Sequence, residues 1–216
     1  MAGALIAVEG IDGSGLTTHS RLLAESLASA GLRSVYTKEP TEGPVGQLIR
    51  SNLLTSSPDP TLMALLFAAD RSWHLKSDPA LPGGRGVLGA IELGYVVITD
   101  RYKYSSIAYQ GAAGVGVDWL WSLNSFAREA DVLVYIDVPV HVALSRISAR
   151  SRVEAYERSE FLLRVKQHFE GVIRRASELG VHIVRVSGVR GVQERSIVEV
   201  SREITETVRA FLSNAT

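Results

Sequence analysis

The stretch VEGIDGSGLTTHS, Val8 to Ser20, decides the fold. An apolar run ends at Val8, the glycines Gly10, Gly13 and Gly15 follow with Ile11, Asp12 and Ser14 between them, and a segment of helical period begins. Gly10 to Gly15, followed by Leu16 and Thr17, meets the pattern G-x-x-x-x-G-K-[ST] everywhere except at its lysine. A strand, a glycine turn and a helix beginning near Gly15 present a row of backbone N–H groups, which with the helix dipole form an anion site that needs no charged side chain. Thr17 stands where a hydroxyl would ligate Mg²⁺, and Thr18 is placed to reach an α-phosphate. Leu16 removes the mobile positive charge that runs along the β- and γ-phosphates. A glycine turn of this kind can also be purely structural, so the rest of the chain has to decide.

Working outward, short β-branched runs alternate with longer segments of helical period: residues 4–9, 34–39, 94–100, 132–138 and 182–187. That alternation predicts an α/β fold, a doubly wound, five-stranded parallel sheet flanked by helices. Leu22, Leu23, Leu27 and Ala30 put an apolar stripe on a first helix that Gly31 closes, and 191–213 reads as a C-terminal amphipathic helix. The Pro/Gly-rich stretch at 77–86 is short enough for a surface connection, so 1–216 reads as one domain.

Composition agrees. At 216 residues the chain is long enough to bury a sizeable core, with 46% apolar and 21% charged residues. Its 23 basic residues balance 23 acidic ones, which speaks against a nucleic-acid-coating surface. The absence of cysteine removes disulfides, thiolate catalysis and cysteine-based metal sites. No apolar run approaches the ~18 to 20 residues of a membrane span, and the N-terminus lacks a basic region and a cleavable apolar core. A cytoplasmic protein without membrane partners is expected.

Ligands of open parallel sheets bind at the carboxyl ends of the strands. Asp12 and the glycine loop follow the first strand, Lys38-Glu39-Pro40 the second, and Asp100-Arg101 the third. GIDGSGLTT, KEPTEGPVGQLIR, LLFAADR, DRYKYSSIAYQG and the RISARSRVEAYE region occur in that order at suitable separations. Together they resemble the thymidylate kinases, P-loop nucleoside monophosphate kinases that convert dTMP to dTDP with ATP. The resemblance runs from Ala4 to about Glu170.

What the resemblance implies can be set against the bare residues. Gly10 to Thr18 would bind ATP. Asp12 matches the carboxylate that contacts the acceptor sugar's 3′-hydroxyl; a helix N-cap fits it equally. Phe67 and Arg71 lie four apart, hence on one helical face, and in the family such a pair stacks on the thymine ring and hydrogen-bonds its edge; Phe67 as plain core stays open. Asp100 would hold Mg²⁺ through water, and Arg101 would point a bidentate donor at the acceptor phosphate; an ordinary salt bridge is the alternative. Lys38 and Pro40 would lie near the acceptor, with Lys38 a point charge where many relatives have arginine. Ser106, Tyr109 and Gln110 resemble the wall around base and sugar, with Tyr109 beneath C2′ favouring deoxyribose, or simply in the core. Glu154, Tyr156 and Glu157 match an acidic-aromatic cluster after the lid, or a solvated helix start.

The lid bears on the missing lysine. Thymidylate kinases with glycine after the loop aspartate tend to put arginines in the lid, and here Gly13 follows Asp12. A lid at about 146–157 offers Arg146, Arg150 and Arg152, of which Arg146 and Arg150 share a helical face if the helix continues that far. These arginines with Mg²⁺ would compensate for Leu16 in an active but slow enzyme, although any of them could be merely solvated. A nucleotide-binding relative that no longer transfers phosphate, or a kinase for another deoxynucleotide, are the competing readings. The resemblance also implies a homodimer.

Overall fold

The computed structural model describes residues 3–53, 59–147 and 152–214; the side chains of 152–157 lie outside that description. In chain order the elements are β1 (Ala4–Glu9), α1 (Leu16–Ser29), β2 (Ser34–Lys38), α2 (Pro44–Leu53), α3 (Pro60–Lys76), α4 (Gly86–Glu92), β3 (Val96–Asp100), α5 (Lys103–Ala112), α6 (Val117–Leu123), β4 (Val132–Asp137), α7 (Val140–Ser145), α8 (Arg152–Glu178), β5 (His182–Ser187), β6 (Val189–Arg190), β7 (Gln193–Glu194) and α9 (Ile197–Asn214).

Five strands pair in the order β2-β3-β1-β4-β5, all parallel. Every residue of β1 and β3 is buried, which explains their continuous apolar runs: helices cover both faces. Register fixes what stands at the carboxyl edge. Val8 and Lys38 both pair with Asp100, and Glu9 pairs with Tyr135. The ends of β1, β2 and β3 therefore lie side by side, and the loops that follow them meet in one place.

Two expectations about helices need correction. On α1 the buried residues are Leu16, His19, Ser20, Leu23, Ala24 and Leu27, while Leu22 is half-buried and Ala30 exposed. The 3.6-residue period runs from Leu16 through Leu23 to Leu27, and Ala30 already caps the end before Gly31 turns the chain with φ 82°. The C-terminal helix begins at Ile197, because Gly191 at φ 62° turns the chain into the antiparallel ribbon of β6 and β7. Ser196 and Glu199 then open the helix with reciprocal bonds, Ser196 N–H to Glu199 Oε2 at 3.0 Å and Glu199 N–H to Ser196 Oγ at 3.3 Å.

Candidate active site

Two clefts adjoin at the carboxyl edge, sharing Asp12, Glu39 and Arg101 in their common wall. The loop-side cleft, of about 510 Å³, is lined by Ile11 to Gly13, Gly15 to Thr18, Lys38, Asp100 and Arg146. The second, of about 400 Å³, reaches Pro40, Phe67, Arg71, Ser106, Tyr109 and Gln110 and is closed by Arg158 and Phe161 of α8. Both volumes suit a nucleotide-sized ligand.

The loop is built by its glycines. Gly13 has φ 82°, and a Cβ there would stand 2.4 Å from the Ala143 carbonyl oxygen of α7. Gly15, at φ 91°, precedes the first turn of α1, which no side chain caps. Its free N–H groups are what an anion would meet. The Ser14 hydroxyl within the loop is buried, with no partner among the described residues. Leu16 is the first residue of α1 and only 5% exposed, so it belongs to the hydrophobic core as well as to the cleft floor.

Thr17 Oγ1 donates to Asp100 Oδ2 at 2.5 Å, with the Tyr36 hydroxyl at 3.4 Å from the same oxygen. A hydroxyl and a carboxylate are hard oxygen donors, and among the described residues no group of three or more His, Cys, Asp or Glu could hold a metal. That sparse set fits Mg²⁺, which keeps waters and takes phosphate oxygens for the rest of its shell.

Arg101 is held from several sides. Its backbone has φ 69°, which side-chain-bearing residues rarely adopt, and its N–H donates to the Val8 carbonyl at 3.1 Å. Nη2 meets Asp12 Oδ1 at 2.6 Å, Nη1 donates to Gly10 O at 3.2 Å and Ser105 Oγ at 3.0 Å, and the guanidinium lies 5.2 Å above the Tyr109 ring. Burial opposes its charge, but the carboxylates of Asp12, Glu9 and Asp100 hold its pKa above the ordinary arginine value. Tyr109 accepts the Asp12 N–H at 2.8 Å and packs edge-on against Phe161 and Phe169, so it serves the core and the cleft wall together. Burial raises its pKa and keeps it neutral.

Deeper in the second cleft, Arg71 is 1% exposed. It pairs with Glu39 at 2.6 Å and donates to Ser106 Oγ at 2.9 Å and Asn124 Oδ1 at 2.5 Å, while Nε has no partner among the described residues. Glu39 also meets His74 Nδ1 at 3.1 Å. Phe67, half-buried, stands one turn before Arg71 on the same cleft face. Gln110 Oε1 is buried with no partner among the described residues, an acceptor a ligand's N–H can meet.

The structure thus gathers most of the residues expected from sequence and moves two of them. Lys38 lines the loop-side cleft, not the second one, and pairs with Glu42 at 2.7 Å. Helix α7 ends at Ser145 with Arg146 as its cap, so the helix does not continue through Arg146. Arg146 instead donates to the Gly13 carbonyl at 3.0 Å and pairs with Glu194 of β7 at 2.6 Å. Arg150 and the side chains of Arg152, Glu154, Tyr156 and Glu157 lie outside the described residues. Sequence reasoning missed Asn124, Arg158, Phe161, Glu9 and Glu39, since no motif spacing marks the residues that brace Arg71 and Arg101 or close the second cleft.

A parallel sheet of this order, a glycine loop opening α1, a carboxylate at the end of β3 and an adjoining cleft define a P-loop nucleoside monophosphate kinase. Residues 8–195 match the thymidylate kinase family model. A protein of Aeropyrum pernix designated thymidylate kinase is 53% identical over 209 residues, covering 94% of this chain and 95% of its own. Another so designated, from Pyrococcus abyssi, is 36% identical over 94% of this chain and 98% of its own. The crystal structure of thymidylate kinase from Ehrlichia chaffeensis superposes with a TM-score of 0.70 at 24% identity, covering 96% of this chain and 100% of that one, which shows the fold. The chain belongs to the thymidylate kinase family. It is an enzyme, an ATP-binding transferase of nucleotide biosynthesis.

Proposed function

We propose that this chain phosphorylates dTMP to dTDP by in-line transfer from ATP, with dTMP in the cleft of Phe67, Arg71 and Gln110 and the ATP phosphates on the glycine loop. The observation that carries the reading is Arg101, shared by both clefts and fixed on three acceptors, where an acceptor phosphate and a transferring group meet. The acceptor phosphate ionises a second time near pH ~6, so at neutral pH it is already a nucleophile and needs no general base. The protein's work is positioning and electrostatics.

In this reading, Asp12 faces the acceptor sugar, Tyr109 crowds C2′, and the Gln110 oxygen accepts an N–H of the base. Thr17 and Asp100 hold Mg²⁺, which when bound neutralises phosphate charge. The loop lysine is replaced by cations brought from elsewhere. Gly13 leaves no room for a side chain against α7, and α7 in turn delivers Arg146 to the Gly13 carbonyl. Arg150 and Arg152 complete a lid at about 146–157 that closes over ATP, Lys38 adds charge on the loop side, and Glu154 and Tyr156 lie beside the acceptor. The chain works as one domain, as a homodimer in the cytoplasm; among the described residues, no helix is long and apolar enough to cross a membrane.

The test is ADP release with Mg-ATP and dTMP, set against no-acceptor and dUMP controls, with the product identified. Release that depends on dTMP supports the proposal. Binding of both nucleotides with no dTDP formed would sink it.

A further inference from the structure

Glu9 ends β1 and is fully buried, and every described contact of its carboxylate comes from a donor. Oε1 accepts the Tyr102 N–H at 2.9 Å and the Ser105 N–H at 3.2 Å, and Oε2 accepts the Ser105 hydroxyl. Ser105 has one hydroxyl proton, and Glu9 takes it. The Ser105 oxygen is thereby left as an acceptor, and Arg101 Nη1 donates to it at 3.0 Å.

The backbone tells the same story. Arg101 sits at φ 69°, and the two residues that end β1 grip the chain on either side of it: the Val8 carbonyl takes the Arg101 N–H, and Glu9 takes the N–H of Tyr102. Tyr102 is the N-cap residue of α5 and its own side chain caps nothing. Glu9 reaches across from the sheet to do that work on the first turn of the helix.

From this geometry we propose that Glu9 is the positioning residue for Arg101, setting its backbone turn through the Tyr102 amide and its guanidinium through the Ser105 hydroxyl. The proposal rests on reading Arg101 as the ligand of the acceptor phosphate. A proton on Oε2 would leave both N–H bonds on Oε1 but set an O–H against the Ser105 hydroxyl, so the bond with Ser105 as donor belongs to the ionised form.

Burial opposes that ionisation and pushes the Glu9 carboxyl up to about 7, with the Ser105 hydrogen bonds and the Arg101 charge pulling it back. Around it stand Arg101 from the turn after β3, Tyr102 at the start of α5 and Tyr135 beside it on β4. Burial holds both phenols above their ordinary range, hence neutral. Asp12 and Asp100 are the remaining charges on Arg101. Protonating Glu9 frees the Ser105 hydroxyl and loosens Arg101, so acceptor affinity falls as pH drops through about 7.

The experiment compares wild type, Glu9→Gln, Ser105→Ala, the double variant and Arg101→Lys. It measures kcat, KM for dTMP and for ATP, calorimetric dTMP affinity from about pH 6 to about pH 9, and Tm. Glu9→Gln and Ser105→Ala should each raise the dTMP KM ~10-fold while the ATP KM stays within about twofold. The double variant should be no worse than the worse single one, because both act on one link. Wild type should lose dTMP affinity below about pH 7 more steeply than Glu9→Gln does. A lowered Tm with dTMP KM unchanged would make Glu9 a cap for α5 and nothing more, and additive losses or an equal rise in ATP KM would also overturn the proposal. If Glu9→Gln does not fold, Ser105→Ala decides by the same split of KM values. Unchanged dTMP affinity in Arg101→Lys overturns the underlying reading of Arg101; a loss there alone, with the Glu9 and Ser105 variants unaffected, overturns only this one.

Discussion

The Arg101 guanidinium and the Asp12 carboxylate, 89 residues apart in the chain, meet at 2.6 Å in the wall shared by the two clefts. Because the same guanidinium also reaches Gly10 O and Ser105 Oγ, its fork is what lets it hold three acceptors at once. Arg101→Lys keeps the charge and loses the fork. The expected result is a ~10–100-fold fall in kcat/KM for dTMP, read by steady-state kinetics. Wild-type kinetics in this variant would rule out Arg101 as the ligand of the acceptor phosphate.

Leu16→Lys restores a mobile cation at the start of α1. Positioned transition-state charges are commonly worth ~10²–10³ in rate, so turnover should rise. Leu16 is also core, and exchanging it costs about 1–3 kcal/mol, so Tm should fall in the same variant. An unchanged kcat would mean the site has reorganised around leucine.

Gly13→Ala places a methyl 2.4 Å from the Ala143 carbonyl and forces a side chain onto φ 82°. Strain of this kind costs about 1–3 kcal/mol. Since α7 must retreat and carries Arg146 with it, thermal unfolding should shift down and the ATP KM should rise. A stability loss with ATP KM intact would separate Arg146 from donor binding.

His19 is buried on α1, its Nδ1 2.7 Å from Ser201 Oγ of α9, and burial lowers its pKa to about 4, with Arg146 adding to the effect. The folded form therefore holds His19 neutral where the unfolded chain protonates it. Between pH 6.5 and about 4 the unfolded state binds more protons, so this residue makes stability fall as pH drops through that window. Tm measured across it should decline less in His19→Asn than in wild type. Parallel curves would exclude the effect.

Much of the site was legible because it stands where strands end. Runs of six or seven residues located the five strands within two residues, and the residues just past Glu9, Lys38 and Asp100 are among those that line the clefts. The ribbon at 189–194 was missed because its two-residue strands carry no period, although Gly191 and the Ser196–Glu199 box were both in view.

By itself, then, the sequence determined the five strands of the main sheet, the glycine loop and the place of Leu16, because periodicity and motif spacing are properties of neighbouring residues. The tertiary structure alone decided which charges meet. It carries Arg146 across 133 residues to the Gly13 carbonyl, buries Arg71 against Glu39, turns Lys38 to the loop side and hangs Arg101 from Glu9 through Ser105. Those contacts depend on strand register and helix docking. A charged side chain's partner is chosen by what burial leaves within reach, and no local pattern records it.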